Sequence, residues 1–246
     1  MPESSLDVAD MKRIVAENAV DSFVKDGMIV GLGTGSTAYY AIRRVGELVA
    51  EGYDLTCVAT SSQSEAQAQA LGIKVVDLDV AEKVDVTIDG ADEVDPSMQL
   101  IKGLGGALLR EKIVAAATVK EIIMVDESKI VSKLGTVAPL PVEVLRYGHL
   151  HTRLALERQG CKATLRMVGG VPFVTDCGNY IYDCRFDGID RPYFLEMAID
   201  SIPGVVENGL FLNTAYEVLV CDGKGSVTRM SESVAGRGDN REIRVL

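Results

Sequence analysis

The chain has 246 residues, of which 47% are hydrophobic, 36 are acidic and 25 are basic, so that its net charge is -11. Its length and hydrophobic content can supply the core of one large globular domain or of two unequal ones, and its negative charge opposes binding to nucleic acid. No apolar run reaches the roughly 20 residues of a membrane-spanning helix, and the N-terminus lacks the pattern of a secretory signal, so we expect a cytoplasmic protein with no membrane partner.

Short strand-like runs alternate with helical patterns through the first half of the chain. The predicted order is a helix around 8–25, a strand in "GMIVGLG", a helix in "STAYYAIRRVGELVAEG", a strand in "LTCVAT", a helix in "SEAQAQALG" and strands in "KVVDL" and "VDVTID". The strand-like runs are rich in Val and Ile, as buried parallel strands are. The alternation predicts a doubly wound, Rossmann-like α/β sheet in a first domain over residues 1–135.

The pattern changes after residue 126. The predicted order becomes a strand in "PVEVLR", a helix in "HLHTRLALERQG", strands in "ATLRMV" and "NYIYDCRF", a helix in "RPYFLEMAID" and a strand in "VVENGLF". This βαββαβ order predicts an inserted, smaller α+β domain of the ferredoxin-like kind over residues 136–207. The run "YEVLVCD" predicts a strand that rejoins the first sheet, completing that domain over about 208–232, and residues 233–246 form a polar tail.

The stretch "GTGST", residues 33–37, follows an apolar strand and precedes a helical pattern. In such a unit the glycines let the backbone approach a ligand, and the N–H groups at the helix start favour an anion. A tight turn in which Ser36 or Thr37 caps the helix is the simpler alternative. A P-loop is poorly supported because no lysine follows Gly35.

The same glycines satisfy the GxGxxG/A pattern of dinucleotide sites, as Gly33-x-Gly35-x-x-Ala38. Such a site also needs an acid at the end of the second strand, where it holds the ribose hydroxyls. Asp54 stands before that strand, and "TSSQS" follows it. The sequence therefore favours binding of a single phosphate over binding of a dinucleotide.

Acidic residues crowd the end of the predicted strand in "VDVTIDGADEVDP". These acids are Asp89, Asp92, Glu93 and Asp95. Ligands bind at the carboxyl ends of parallel strands, so the acids could hold magnesium, or they could simply face solvent. Lys102, at another predicted strand end, precedes a second glycine-rich loop. A cation beside the acids favours organic chemistry over a metal site, and five widely spaced cysteines with two histidines do not predict zinc.

Glu111 lies in the segment 107–117, whose apolar residues surround nearly the whole helical wheel and predict a core helix. On this wheel its side chain points between those of Val114 and Ala115, which are both apolar, so we expect it to be buried. A carboxylate desolvated in this way has a raised pKa, as a general base working near neutral pH requires. The alternative is a structural ion pair, for which there are three candidate partners: Arg110, Lys112 and Lys102.

Seven motifs follow one another along the chain: "GTGST" (33–37), "DGADEVD" (89–95), "KGLGGALLREK" (102–112), "DESK" (126–129), "LPVEV" (140–144), "VTDCGNYI" (174–181) and "PGVVENGLF" (203–211). Together they resemble the type A ribose-5-phosphate isomerase family, and seven ordered motifs are far more specific than one loop. The resemblance covers most of the chain. It implies interconversion of ribose 5-phosphate and ribulose 5-phosphate in the pentose phosphate pathway, without metal or other cofactor, by a cytoplasmic homodimer or homotetramer.

By this resemblance, Glu111 matches the family's proton-abstracting glutamate. Lys12, in the first helix, corresponds loosely to a lysine that contacts phosphate. Leu104 departs from the family's pattern, in which glycine is usual at this position. The substrate-binding positions correspond to Thr34, Gly35, Ser36, Thr37, Asp89, Gly90, Ala91, Asp92, Lys102, Gly103, Leu104, Gly105 and Lys129.

The reaction implied by the resemblance moves a carbonyl from C1 to C2 of a sugar, which requires a base for the C2 proton and a donor for the enediolate oxygens. We expect Glu111 to carry the proton, Lys102 to stabilise the oxyanion, and Asp89 to assist ring opening or hydroxyl proton transfer. Two other functions stay open. A non-catalytic sugar-phosphate sensor would use the same phosphate loop, and a nicotinamide-dependent dehydrogenase would need the missing ribose-binding acid.

Overall fold

A computed structural model describes residues 6–81 and 83–231 of the chain. Within these ranges the helices are α1 (Val8–Phe23), α2 (Ser36–Ala50), α3 (Ser62–Ala70), α4 (Leu108–Ala116), α5 (His149–Glu157) and α6 (Pro192–Asp200). The strands are β1 (Ile29–Leu32), β2 (Thr56–Ala59), β3 (Lys74–Val75), β4 (Val84–Gly90), β5 (Glu93–Val94), β6 (Leu100–Ile101), β7 (Thr118–Asp126), β8 (Leu140–Val144), β9 (Lys162–Leu165), β10 (Met167–Val168), β11 (Val171–Pro172), β12 (Tyr180–Arg185), β13 (Val205–Asn208), β14 (Leu210–Phe211), β15 (Ala215–Cys221) and β16 (Val227–Met230).

The largest sheet has seven strands in the order β16-β15-β7-β4-β1-β2-β3. Neighbouring strands run parallel except β16, which pairs antiparallel with β15. The chain builds outwards from β1 to β3 and then returns to β4 on the other side of β1, so the strand order reverses between β1 and β4. The prediction of a doubly wound, Rossmann-like sheet is confirmed, and "YEVLVCD" does rejoin it as β15. Ligands bind at such a reversal in open α/β sheets.

Side chains of the central strands alternate between the two faces of the sheet. Val86 and Ile88 of β4 pack with α1 and α2 in one apolar cluster. Ile123 of β7 packs on the opposite face, in a cluster that includes Ala115 of α4. Asp89 follows Ile88 in the strand and therefore faces α4, at the carboxyl end of β4.

The second sheet has four antiparallel strands in the order β13-β8-β12-β9. With α5 and α6, its elements follow the βαββαβ order expected for the smaller α+β unit, and its apolar residues form a cluster of their own. The domain boundaries predicted near 135 and 207 stay a prediction. The predicted polar tail, 233–246, lies outside the described residues.

Two runs that the sequence predicted as single strands are broken. "VVENGLF" contributes β13 to the four-stranded sheet and β14 to a small sheet with β5 and β6 that the sequence did not predict. Gly209 makes the crossing: its N–H donates to the carbonyl of Pro141 (2.8 Å), and its own carbonyl accepts from the N–H of Lys102 (2.9 Å). "ATLRMV" is likewise divided into β9 and β10 at Arg166.

Helix α4 is only partly a core helix. Val114 and Ala115 are buried, as predicted, but Ile113 is 49% exposed, because the helix packs on one side against the sheet. Within residues 6–81 and 83–231, no helix combines the length and the apolar character needed to cross a membrane.

Candidate active site

The loop between β1 and α2 presents the start of a helix to the reversal point of the sheet. Gly35 is the N-cap residue of α2, and no side chain caps the helix, so the interpretation of Ser36 or Thr37 as a simple cap is wrong. The first backbone hydrogen bond of the turn runs from the N–H of Tyr39 to the carbonyl of Gly35. The preceding N–H groups are thus open to an anion. Lys12 of α1 adds a cation, and its Nζ donates to Ser36 Oγ (2.9 Å).

The end of β4 lies directly against this loop. Asp89 Oδ1 accepts from the N–H of Thr34 (3.2 Å) and from the N–H of Gly90 (2.7 Å). Gly33 must be glycine for this approach, because a Cβ built there would lie 2.2 Å from Asp89 Oδ1. These contacts therefore fix the position of the loop relative to the end of β4.

Lys102 lies behind these two segments and is almost fully buried, with 2% exposure. Its Nζ is 2.8 Å from Asp89 Oδ2 and 3.5 Å from Glu111 Oε2, and it donates to the carbonyl of Gly90 (2.6 Å). Burial by itself would lower the pKa of Lys102, but Asp89, Glu111 and Glu121 outweigh burial and raise it. Lys102 is therefore a cation throughout the physiological range.

Glu111, in the first turn of α4, is also buried, with 4% exposure, and its Oε2 accepts no hydrogen bond. Burial raises the pKa of Glu111 to about 8, against the opposing charge of Lys102 and with the help of the negative charge on Asp89. Of the three candidate ion-pair partners, Lys102 alone reaches it in the described part of the chain. Arg110 pairs with Asp176 and Lys112 with Glu207.

The four acids of "DGADEVD" do not form one cluster. Glu93 is buried and accepts three backbone N–H groups, from Gly135, Val137 and Ala138. Asp95 accepts from N–H groups of its own turn. Asp92 instead accepts from the N–H of Leu104 (2.9 Å), and burial raises its pKa. The solvent-facing interpretation is wrong for Asp89 and Glu93, which are 1% and 0% exposed.

A pocket of about 250 Å³ joins these elements. It opens between the α2 loop and the glycine-rich loop that follows Lys102, and both Glu111 and Lys129 line it. Its lining residues are Lys12, Thr34, Gly35, Ser36, Thr37, Gly90, Ala91, Asp92, Lys102, Gly103, Leu104, Gly105, Glu111 and Lys129. Among residues 6–81 and 83–231, no three His, Cys, Asp or Glu side chains are grouped so that they could hold a metal ion.

The sequence matches the family model of ribose 5-phosphate isomerase A (phosphoriboisomerase A) over residues 56–225. It is 50% identical over 231 residues to the ribose-5-phosphate isomerase A of Gloeobacter violaceus, covering 94% of this chain and 100% of the relative. The chain belongs to the ribose-5-phosphate isomerase A family.

Solved structures of ribose-5-phosphate isomerases share the fold. The enzyme of Plasmodium falciparum superimposes with a TM-score of 0.89 at 37% identity, covering 92% of this chain and 99% of the other. A D-ribose-5-phosphate isomerase in complex with phospho-erythronic acid also gives a TM-score of 0.89, at 40% identity, with 92% and 100% covered.

The pocket of this isomerase-family chain contains every residue predicted to bind substrate except Asp89, which lies just behind the wall and holds Lys102. Lys12, which corresponded only loosely to a phosphate-contacting lysine, also lines it. Leu104 fits without strain, because its φ is not in the left-handed region and its N–H is already bound by Asp92. The roles of these residues stay predictions.

Three groups of residues near the isomerase pocket were missed from the sequence. Thr34 Oγ1 lies 2.7 Å from Thr60 Oγ1 and donates to Ser61 Oγ (2.8 Å), so the "TSSQS" segment supports the loop between β1 and α2. The "TSSQS" segment follows β2 directly, and this position at the carboxyl end of a strand could have identified it as part of the site from the sequence. Glu121 is buried on β7, opposite Thr87 of β4, and burial raises its pKa well above the ordinary value. Arg166 approaches the pocket from the second sheet.

Proposed function

We propose that this protein interconverts D-ribose 5-phosphate and D-ribulose 5-phosphate through an enediolate, as an aldose-ketose isomerase of the non-oxidative pentose phosphate pathway. The observation that carries the proposal is the buried contact between Glu111 and Lys102, at 3.5 Å, in the wall of a pocket that also contains an uncapped helix start. Base, cation and anion site are the three groups that this reaction requires.

The sugar phosphate binds with its phosphate at the start of α2. The open N–H groups, the hydroxyls of Ser36 and Thr37, and the ammonium of Lys12 all offer donors to an anion there. Binding energy from this remote group orients the reacting end of the sugar towards Glu111 and Lys102.

Proton transfer at carbon falls to Glu111. Its raised pKa places it close to the operating pH, where a general base is most effective. Glu111 takes the C2 proton of the open-chain aldose and returns it to C1, while Lys102 stabilises the negative charge that develops on the oxygens. Asp89 assists ring opening or hydroxyl proton transfer, and Asp92 binds a hydroxyl.

The direct test mixes the protein with ribose 5-phosphate in heavy water, with no cofactor present and with excess EDTA. We expect ribulose 5-phosphate to form and deuterium to enter at carbon, because an enediolate exchanges its proton with solvent. Ketose formation abolished by EDTA and restored by magnesium or manganese would contradict the metal-free mechanism. Tight binding of the sugar phosphate without conversion would instead favour a non-catalytic sensor.

The phosphate site has its own test. Replacing both Ser36 and Thr37 by alanine should raise KM for ribose 5-phosphate by roughly 10-fold or more, the scale expected for lost hydrogen bonds to a charged group. Conversion of unphosphorylated ribose, however slow, should change little. Equal losses on the two sugars would show general damage to α2 rather than loss of phosphate contacts.

The partners we propose are a sugar phosphate and further copies of the same chain, with no nucleic acid, in the cytoplasm. Large apolar side chains of the second unit support association: Tyr147, Phe194 and Met197 are 95%, 67% and 69% exposed. Phe194 and Met197 lie one turn apart on α6, and an apolar patch left exposed on a single chain favours a homodimer or homotetramer over a monomer. Light scattering coupled to gel filtration measures the copy number.

A further inference from the structure

Arg166 carries a guanidinium from the second sheet to the pocket of the first. It lies between β9 and β10, and its side chain is 11% exposed. Asp183 of β12 holds the guanidinium on one edge, where Nε donates to Oδ2 (3.0 Å) and Nη2 donates to Oδ1. This two-point ion pair fixes the direction of the remaining nitrogen, Nη1.

Nη1 of Arg166 reaches the glycine-rich loop that follows Lys102. It donates to the carbonyl of Gly103 (2.9 Å) and to the carbonyl of Leu104 (3.1 Å). Phe173 supports the same contact, because its ring lies 6.0 Å from the guanidinium and packs so closely on Gly106 that a Cβ there would lie 2.5 Å from it. Arg166 and Phe173, both in the segment between β9 and β12, therefore hold this loop at Gly103 and Leu104 and again at Gly106.

Each of the two carbonyls shares a peptide unit with an N–H group at the pocket. The carbonyl of Gly103 belongs to the same peptide as the N–H of Leu104, which donates to Asp92 (2.9 Å). The carbonyl of Leu104 belongs to the same peptide as the N–H of Gly105, a residue of the pocket wall. A cation on the carbonyl side orients and polarises such a peptide, which strengthens its N–H as a donor.

We propose that Arg166 is a positioning residue of the isomerase site: it fixes the peptide units 103–104 and 104–105 so that one N–H holds Asp92 and the next is presented to an oxygen of the enediolate. This inference rests on the proposed function. Lysine cannot replace the arginine, because a single ammonium does not span Asp183 and both carbonyls.

The loop connects the two groups assigned to the chemistry, since Lys102 precedes it and the helix of Glu111 follows it. A change in the conformation of this loop therefore raises the free energy of the transition state more than it weakens phosphate binding, which takes place at α2. This difference separates a positioning role from a general structural one, because overall loosening of the fold would weaken every ligand.

The test compares Arg166→Met with Arg185→Met. Arg185 lies on β12 two residues after Asp183, is exposed, and donates to the carbonyl of Val137 rather than to the loop. For Arg166→Met we expect kcat with ribose 5-phosphate to fall roughly 10- to 100-fold, the scale of a charge-assisted hydrogen bond, with less than about a threefold change in KM. Arg185→Met should match the wild-type protein.

Two inhibitors sharpen the comparison. In the proposed binding mode, the carboxylate of phospho-erythronic acid takes the place of the enediolate oxygens, so its inhibition should weaken roughly 10- to 100-fold in Arg166→Met, whereas inhibition by inorganic phosphate should stay within about twofold. Arg166→Lys should lose kcat in the same way. If Arg166→Met does not fold, Asp183→Asn carries the test, with the same pattern at roughly 3- to 10-fold.

Two outcomes would overturn the inference: kcat of Arg166→Met within about twofold of wild type, or equal weakening of phosphate and phospho-erythronic acid. Failure of the proposed function has a different signature. In that case the wild-type protein and Arg185→Met would both leave ribose 5-phosphate unconverted.

Discussion

Glu111→Gln should lower kcat by roughly 10²- to 10⁴-fold or more, the range expected for loss of a general base. Glutamine has nearly the same shape, so the packing of α4 and the binding of ribose 5-phosphate should remain. The variant should also stop exchanging the C2 hydrogen of the substrate with heavy water. A near-normal kcat would exclude Glu111 as the base.

The pH profile of kcat/KM checks the same assignment. Because the pKa of Glu111 is about 8 in the folded protein, the fraction of ionised base rises with pH and levels off above about 8. We therefore expect kcat/KM of the wild-type protein to increase up to that pH. The residual activity of Glu111→Gln should lack this dependence.

Thermal unfolding separates this role from a structural one. The folded pKa of Glu111 lies above the ordinary value of 4.5, so the stability contributed by its bound proton is complete below about pH 4.5 and is lost as the pH rises through 8. Glu111→Gln should remove that loss and be at least as stable as wild type at pH 8, since Lys102 keeps Asp89 at 2.8 Å. A fall of roughly 3 to 5 kcal/mol in unfolding free energy would indicate a structural ion pair instead.

The sequence located these groups because each stands at the end of a recognisable element. Asp89 ends a Val- and Ile-rich strand, and Glu111 occupies an apolar helical pattern. The contact between Lys102 and Glu111 was less accessible, since it depends on how the loop between them folds back. That path is fixed by Gly209 and Arg166, which lie about a hundred and about sixty residues further along the chain and act through backbone contacts that leave no periodic pattern.

The errors have a common physical cause. Hydrophobic periodicity reports which residues can be buried, and it does not report what covers them. "VVENGLF" has a continuous strand pattern, yet Gly209 takes it from one sheet to another. The segment around Ile113 is apolar on nearly all sides, yet its outer side is uncovered in the single chain. Glu121 was overlooked for the converse reason, because it lies next to Lys120 at the polar start of a strand whose following residues are apolar, so it gave no sign of being buried.

Lys102→Met should lower both activity and stability. Lys102 faces three buried carboxyl groups, of which Asp89 is the nearest at 2.8 Å. Removing the cation leaves Asp89 buried without its counter-charge, at a cost of roughly 3 to 5 kcal/mol in unfolding free energy. It also removes the donor assigned to the enediolate, so kcat should fall by at least about 10²- to 10³-fold.

Lys112→Met is the matched control. Both ammonium groups lie over the ring of Phe211, at 5.3 Å for Lys102 and 5.0 Å for Lys112, but Lys112 pairs with Glu207 outside the pocket. Its replacement should leave kcat near the wild-type value. A comparable loss of kcat in both variants would show that the Phe211 contact, rather than the charge of Lys102 in the pocket, supports activity.

The double variant Asp89→Asn with Lys102→Met separates stability from catalysis. Because it removes both members of the buried pair, it should recover most of the stability lost in Lys102→Met, and a double-mutant cycle on unfolding free energies measures the recovery. Activity should not recover, since no cation then faces the developing oxyanion. In the single variant Lys102→Met, loss of the lysine should also raise the pKa of Glu111 further, because the lysine now lowers it, so the rising limb of kcat/KM in that variant should move above pH 8. A double variant that regained both stability and kcat would show that Lys102 serves only to neutralise Asp89.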